Sequence, residues 1–185
     1  GDGKAVQKLY YTRNKQTISL NKSLNGSKGI KSVYATSSNS TLDQIDPPQP
    51  IGDQGQITPD VQYKGDYNSA VTVRAEVEPG YEFDKWVYTL ENSNVRSTSI
   101  DYGFYTGERA INLLALAKPK TDTKYTVKFW QQPVNGSTNP DDYAFISSTE
   151  KSGTTDTNTT LDFASAEFTN KYVGFHVSTV NVPEN

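Results

Sequence analysis

Apolar residues in this chain recur mostly at every second position and in short runs, the period of a half-buried strand rather than of a helix. Ala70–Val77 (AVTVRAEV) is the clearest case: Val71, Val73, Ala75 and Val77 share one side, and Thr72, Arg74 and Glu76 the other. Residues 124–131 alternate in the same way, with Tyr125, Val127 and Phe129 inward and Lys124, Thr126 and Lys128 outward. Shorter stretches of strand character fall at 6–11, 17–20, 30–34, 81–90, 99–105, 143–147 and 171–177. Residues 111–117 (INLLALA) form the most apolar run. They are too few for a typical buried helix and are stopped by Lys118-Pro119-Lys120, so a buried strand is predicted. Turn chemistry separates these runs at Asn25-Gly26, Glu78-Pro79-Gly80, Asn92-Ser93-Asn94, residues 135–142 and residues 153–158. One short helix is predicted, over 162–169 with Asp162 as its N-cap.

Composition breaks the chain into parts. Residues 36–60 are rich in Ser, Asn, Pro and Gly, and Asp46-Pro47-Pro48-Gln49-Pro50 cannot sit inside a sheet, so a long exposed loop is expected there. Lys118 to Thr123 is polar and carries Pro119. The expected organisation is therefore a strand or strands at 1–20 left from a preceding repeat, and a first β module at 21–118 containing the 36–60 loop. A linker at 119–123 and a second module at 124–185 follow.

The 185 residues include no Cys, no Met and one His, His176. That composition excludes disulfide scaffolds, thiol nucleophiles and zinc–thiolate centres, and leaves little for a His-based triad or metal cluster. Net charge is −3 and no basic stripe stands out, so nucleic acid is not an expected partner. No apolar run approaches the ~20 residues of a membrane helix. The core must draw on rings and β-branched residues, since there are 12 Tyr, 7 Phe and 2 Trp.

Val71 to Trp86 (VTVRAEVEPGYEFDKW) is similar to the divergent InlB B-repeat of bacterial surface proteins, a strand, a Pro/Gly turn and then G-Y-x-F-x-x-W. Ile111 to Pro119 resembles that repeat's closing strand. Tyr81, Phe83 and Trp86 are the motif's core rings, able to fill a module too small to bury many aliphatics. Residues 124–185 resemble the mucin-binding-protein-like repeat of Gram-positive surface proteins, through KYTVKFWQQ, NGSTNPDDY, SGTTDT and KYVGF. Such repeats close with a strand of the type L-Y-Y-x-R-N, which here stands at Leu9 to Asn14, so the segment reads as cut from a tandem array out of phase. The resemblances imply mainly-β, β-grasp-like modules with at most one short helix, set in a cell-surface array. They also imply that residues 5–13 add as a strand to a sheet, either to the 124–185 module of a neighbouring molecule or to residues 15–35 in the same chain.

Candidate chemistry is sparse. His176, alone in its strand, reads as structural. Asn139, Asp141 and Asp142 offer clustered oxygens but lack a calcium-loop pattern, and a solvated hairpin loop is preferred. Glu76, Glu82 and Asp84 fit the solvent face of a strand and turn better than a glycosidase pair. Trp130 follows the inward series out of phase and, with Tyr102 and Tyr105, is a candidate glycan-stacking residue; Tyr143, Phe145, Tyr172 and Phe175 point mostly inward. Lys8, Lys124, Lys128 and Asn112 are the residues from which an intramolecular isopeptide bond would be drawn. The expected function is a non-catalytic, extracellular stalk or adhesin module with weak multivalent attachment to a host glycan, mucin or host surface protein. Its anchor to the cell wall would lie outside these residues, and no catalytic residue, metal or cofactor is expected. The alternative is a glycan- or mucin-binding module.

Overall fold

The computed structural model describes residues 7–24, 26–53, 55–159, 161–162 and 165. The fold is mainly β. The chain divides into two compact units, Gly1–Thr155 and Asp156–Asn185. In the second, the described residues give a turn closed by the Ser165 N–H on the Asp162 carbonyl at 3.0 Å. The expected helix over 162–169, the strand at 171–177, and His176, Tyr172 and Phe175 lie outside the described residues.

The first unit is built on two sheets packed face to face. A six-stranded sheet runs β3 (Asp43–Gln44), β4 (Val61–Asp66), β1 (Lys15–Asn21), β9 (Ile111–Pro119), β6 (Tyr81–Tyr88) and β7 (Glu91–Ser97). A three-stranded sheet runs β2 (Ile30–Ser37), β5 (Ala70–Val77) and β8 (Asp101–Tyr105). Ile18, Leu20, Trp86, Leu113 and Ala115 from the larger sheet meet Ile30, Val33, Ala35, Val71, Val73 and Ala75 from the smaller in one apolar core. This is the layered burial that alternation permits, each strand giving one face to the partner sheet. Among the described residues no α-helix packs on either sheet, so the layer opposite the large sheet is β2-β5-β8 rather than the helix of a β-grasp.

The G-Y-x-F-x-x-W residues sit where a core motif should. Trp86 is fully buried, Phe83 lies 5.8 Å from it ring to ring, and Tyr81 is buried at the start of β6. The Trp86 indole N–H donates to the Ile100 carbonyl at 3.2 Å, satisfying the one polar atom that burial would otherwise strand. Gly80 takes φ 84°, as the Pro-Gly turn requires. Gly29 takes φ 90°, and a Cβ there would overlap the Tyr81 ring.

Several boundaries differ from those the sequence predicts. Residues 15–20 are built into this fold: β1 pairs with β4 on one side and with β9 on the other, inside the large sheet. Residues 7–14 form no strand, and Leu9, Tyr10 and Tyr11 are exposed, so they do not pair with residues 15–35 of their own chain. The turn after β6 falls at Thr89-Leu90, and β7 takes up residues 91–97. The expected linker shrinks to three residues, 120–122, because β9 runs through Pro119 and β10 (Thr123–Gln131) begins at Thr123. The first unit continues to Thr155, taking in β10, a 3-10 turn at Pro140–Asp142 and β11 (Ala144–Gly153).

Residues 36–60 are not a free loop. β2 takes the first two, β3 pairs with β4, and Ile51 and Ile57 bridge each other. The stretch is laced to the face of the large sheet that looks away from the core. Ile18 and Leu20 point into the sandwich, so Ser19 and Asn21 must point the other way, yet both are buried. Gln62, opposite Ser19, donates through Nε2 to Ser19 Oγ at 2.9 Å and to the Gln49 carbonyl at 3.3 Å. The Gln49 N–H donates to Gln62 Oε1 at 2.9 Å, and the Ile45 N–H to the Gln62 carbonyl at 2.8 Å. The proline-rich strap thus fastens to Gln62 and, through it, to Ser19, while Asn21 Nδ2 donates to Thr89 Oγ1 at 3.1 Å.

Candidate functional site

The exposed rings come from two elements. On the β10–β11 hairpin, Trp130 is 54% exposed and packs edge-on against Phe145, itself 52% exposed, with centroids 5.4 Å apart. The register slips between Phe129 and Trp130, so that Trp130 faces Phe145 directly. Lys124, Thr126 and Lys128 share the outward side with Trp130, while Tyr125, Val127 and Phe129 are half-buried.

On β8, Tyr102 and Tyr105 do not form one cluster. Tyr102 and Phe104 lean inward onto the core and onto each other, centroids 5.4 Å apart. The Tyr102 hydroxyl accepts from Arg96 Nη2 at 3.3 Å, and the same guanidinium lies 4.7 Å from the centre of the Tyr88 ring. Arg96 therefore clasps the rims of both sheets. The hydroxyl beside it raises its already high pKa further. Tyr105, three residues on from Tyr102, faces solvent at 67% exposure. Of the three predicted ring sites, Trp130 and Tyr105 are open surfaces and Tyr102 is a packing residue.

The carboxylates considered for catalysis each have a local partner. Glu76 accepts from Ser32 Oγ at 2.7 Å, Glu82 lies 3.2 Å from Lys118, and Asp84 lies 3.4 Å from its neighbour Lys85. In the 135–142 loop, Asn139 caps the 3-10 turn and Ser137 donates to Asp142. Among the described residues no group of three or more His, Cys, Asp or Glu comes together in a way that would hold a metal ion. Lys124 donates to Ser152 at 3.1 Å on the hairpin, whereas Asn112 stands beside Ser19 in the large sheet, so they are not brought together. Asn112 Oδ1 is buried and has no partner among the described residues.

A shallow cleft of about 500 Å³ opens where the chain enters the sandwich, lined by Thr12, Arg13, Asn14, Gln16, Tyr67 and Glu108. Close in sequence to its lining residues Tyr67 and Glu108, the Ser69 N–H donates to Thr106 Oγ1 at 2.8 Å, which donates to the Asp66 carbonyl at 2.6 Å. Sequence reading missed this cleft because its walls come from three segments far apart in the chain. No protein-family model, curated protein or solved structure matches this chain.

Proposed function

We propose that this chain is a non-catalytic, extracellular repeat module of a bacterial surface protein, serving as a spacer in an adhesin stalk anchored elsewhere. The observation that carries this reading is topological. β1 and β9 lie side by side and parallel, with Ile18 beside Ile111 and Asn21 beside Leu114. The chain therefore enters the sandwich at one pole and leaves it at the other. Along the shared strand direction Lys15 and Pro119 stand eleven residue steps apart, about 35 Å at ~3.3 Å per step. A module threaded from pole to pole adds length with every copy, while antiparallel first and last strands would return the chain to where it began. The resemblance around Tyr81, Phe83 and Trp86 supports the setting, a tandem array outside a bacterium.

Weak attachment to a host glycan, mucin or host surface protein is the second reading, and the exposed Trp130–Phe145 pair favours it. Tandem copies raise effective concentration, so a shallow aromatic surface suffices for avidity. Titration of the whole chain on arrayed mucin oligosaccharides separates the two. The spacer reading expects no saturable retention of the monomeric chain. The glycan reading expects retention that Trp130→Ala abolishes while the melting transition stays in place. Saturable retention that survives both Trp130→Ala and Tyr105→Ala would contradict both.

A further inference from the structure

At the pole where β9 leaves the sandwich, a residue from the far end of the following hairpin is tied back. The Thr155 N–H donates to the Lys120 carbonyl at 3.0 Å, and its hydroxyl donates to the Gly80 carbonyl at 2.7 Å. The Lys120 N–H reaches the same Gly80 carbonyl at 2.9 Å, and the Thr123 and Thr155 hydroxyls lie 2.7 Å apart. The chain thus leaves the sandwich at Pro119, runs out along β10, and returns along β11 to where it started. The excursion is stapled shut at its base.

Tension on the flanking chain meets two joints of different geometry. In the hairpin, Thr123 pairs with Gly153 at the base and the pairs run outward to Gln131 and Ala144. A pull on the base draws the two strands apart sideways, so the load falls on one pair at a time. In the sandwich, a pull through Lys15 and Pro119 runs along β1 and β9 in opposite directions. The four pairs from Ile18–Ile111 to Asn21–Leu114 then share the load in shear. β1 is held on its other side by six pairs to β4, from Lys15–Asp66 to Leu20–Val61, loaded along the same axis.

We propose that residues 15–155 are a two-stage tension joint. The Thr155 staple and the β10–β11 zipper yield first, at low force, and release slack. The β1–β9 shear joint holds to higher force and keeps the sandwich folded meanwhile. Opening residues 120–155 frees about 120 Å of chain, and unfolding the sandwich frees about 350 Å, at ~3.6 Å per extended residue. Both steps break only noncovalent contacts, so the hairpin closes again when load falls. The biological use rests on the spacer reading, but the order of yielding is a property of these residues alone.

The chain has no cysteine, so Tyr11→Cys and Asn158→Cys give two unique attachment points on the full protein for optical-tweezer pulling. The expected record is a short step at lower force, then a long step at higher force. Forced opening follows the unfolding rate in the pulled direction rather than equilibrium stability. Thr155→Val, which keeps the shape but loses the hydroxyl, speeds the short step about tenfold or more and leaves the long step unchanged. Moving the second attachment to Tyr67→Cys pulls β1 off β4 from the Lys15–Asp66 end, and the sandwich then yields at lower force. A long step that comes first, a single merged step, or equal sandwich forces in the two directions would overturn the proposal. None of those outcomes alters the distance between the two poles, on which the spacer reading stands.

Discussion

Trp86 is the residue on which the sandwich depends most. It is fully buried, packed at a tilt against Phe83 and held by its indole N–H to the Ile100 carbonyl. Trp86→Ala removes a large buried ring from a close-packed core and should cost about 3–5 kcal/mol, read by denaturant unfolding. Gly29 matters for the opposite reason, absence of a side chain. Gly29→Ala forces a Cβ into the Tyr81 ring at a φ of 90°, and should destabilise by about 1–3 kcal/mol in the same measurement. Lys15 makes an ion pair with Asp43 across β4, and the hydrogen bond to Asp43, with its charge, holds the ammonium above its usual pKa. A folded pKa above the unfolded one contributes stability that is complete below the ordinary lysine range and disappears as pH rises through the raised value. In an NMR titration Lys15 should deprotonate at higher pH than in Asp43→Asn. Identical titrations would show that the pair does not form in solution.

At the scale of elements, β5 and β9 were readable as strands from their patterns, whereas β1 was readable as a strand but not as one buried on both faces. Val71, Val73 and Ala75 alternate with Thr72, Arg74 and Glu76, and β5 spans the residues its pattern predicts. β1 alternates too, but Ser19 is tied through Gln62 to a strap whose prolines suggest a free loop, Asn21 is buried and bonded to Thr89, and only long-range pairing reveals the cover. The cue was present in the residue type: Ser19 and Asn21 are small and uncharged, where an open face carries residues like Arg74. Trp130 was legible as an exposed ring, whereas Tyr102 was not legible as a packed one, because its partner Arg96 arrives from β7. Gln62 is the strap's main fastening. Gln62→Leu leaves Ser19 Oγ and the Gln49 N–H without their partner, at a cost of about 1–3 kcal/mol. Hydrogen exchange should then rise across residues 45–57 before it rises in β5.

At the scale of the whole molecule, topology decides what the sandwich does to the chain. Among the described residues only β1 and β9 run parallel; every other pairing in the two sheets is antiparallel. That single pairing sets where the chain goes in and where it comes out, and no local pattern in the sequence announces it. The most direct test is a distance between spin labels on Asn14→Cys and Lys120→Cys in the full chain, which flank the two strands and have no native cysteine to compete with them. Pole-to-pole threading gives a distribution centred at ~40–45 Å, the strand stagger plus the two flanking residues, at ~3.3 Å per step. A distribution centred below about 20 Å would mean that the chain enters and leaves on the same side, and the spacer account would be wrong.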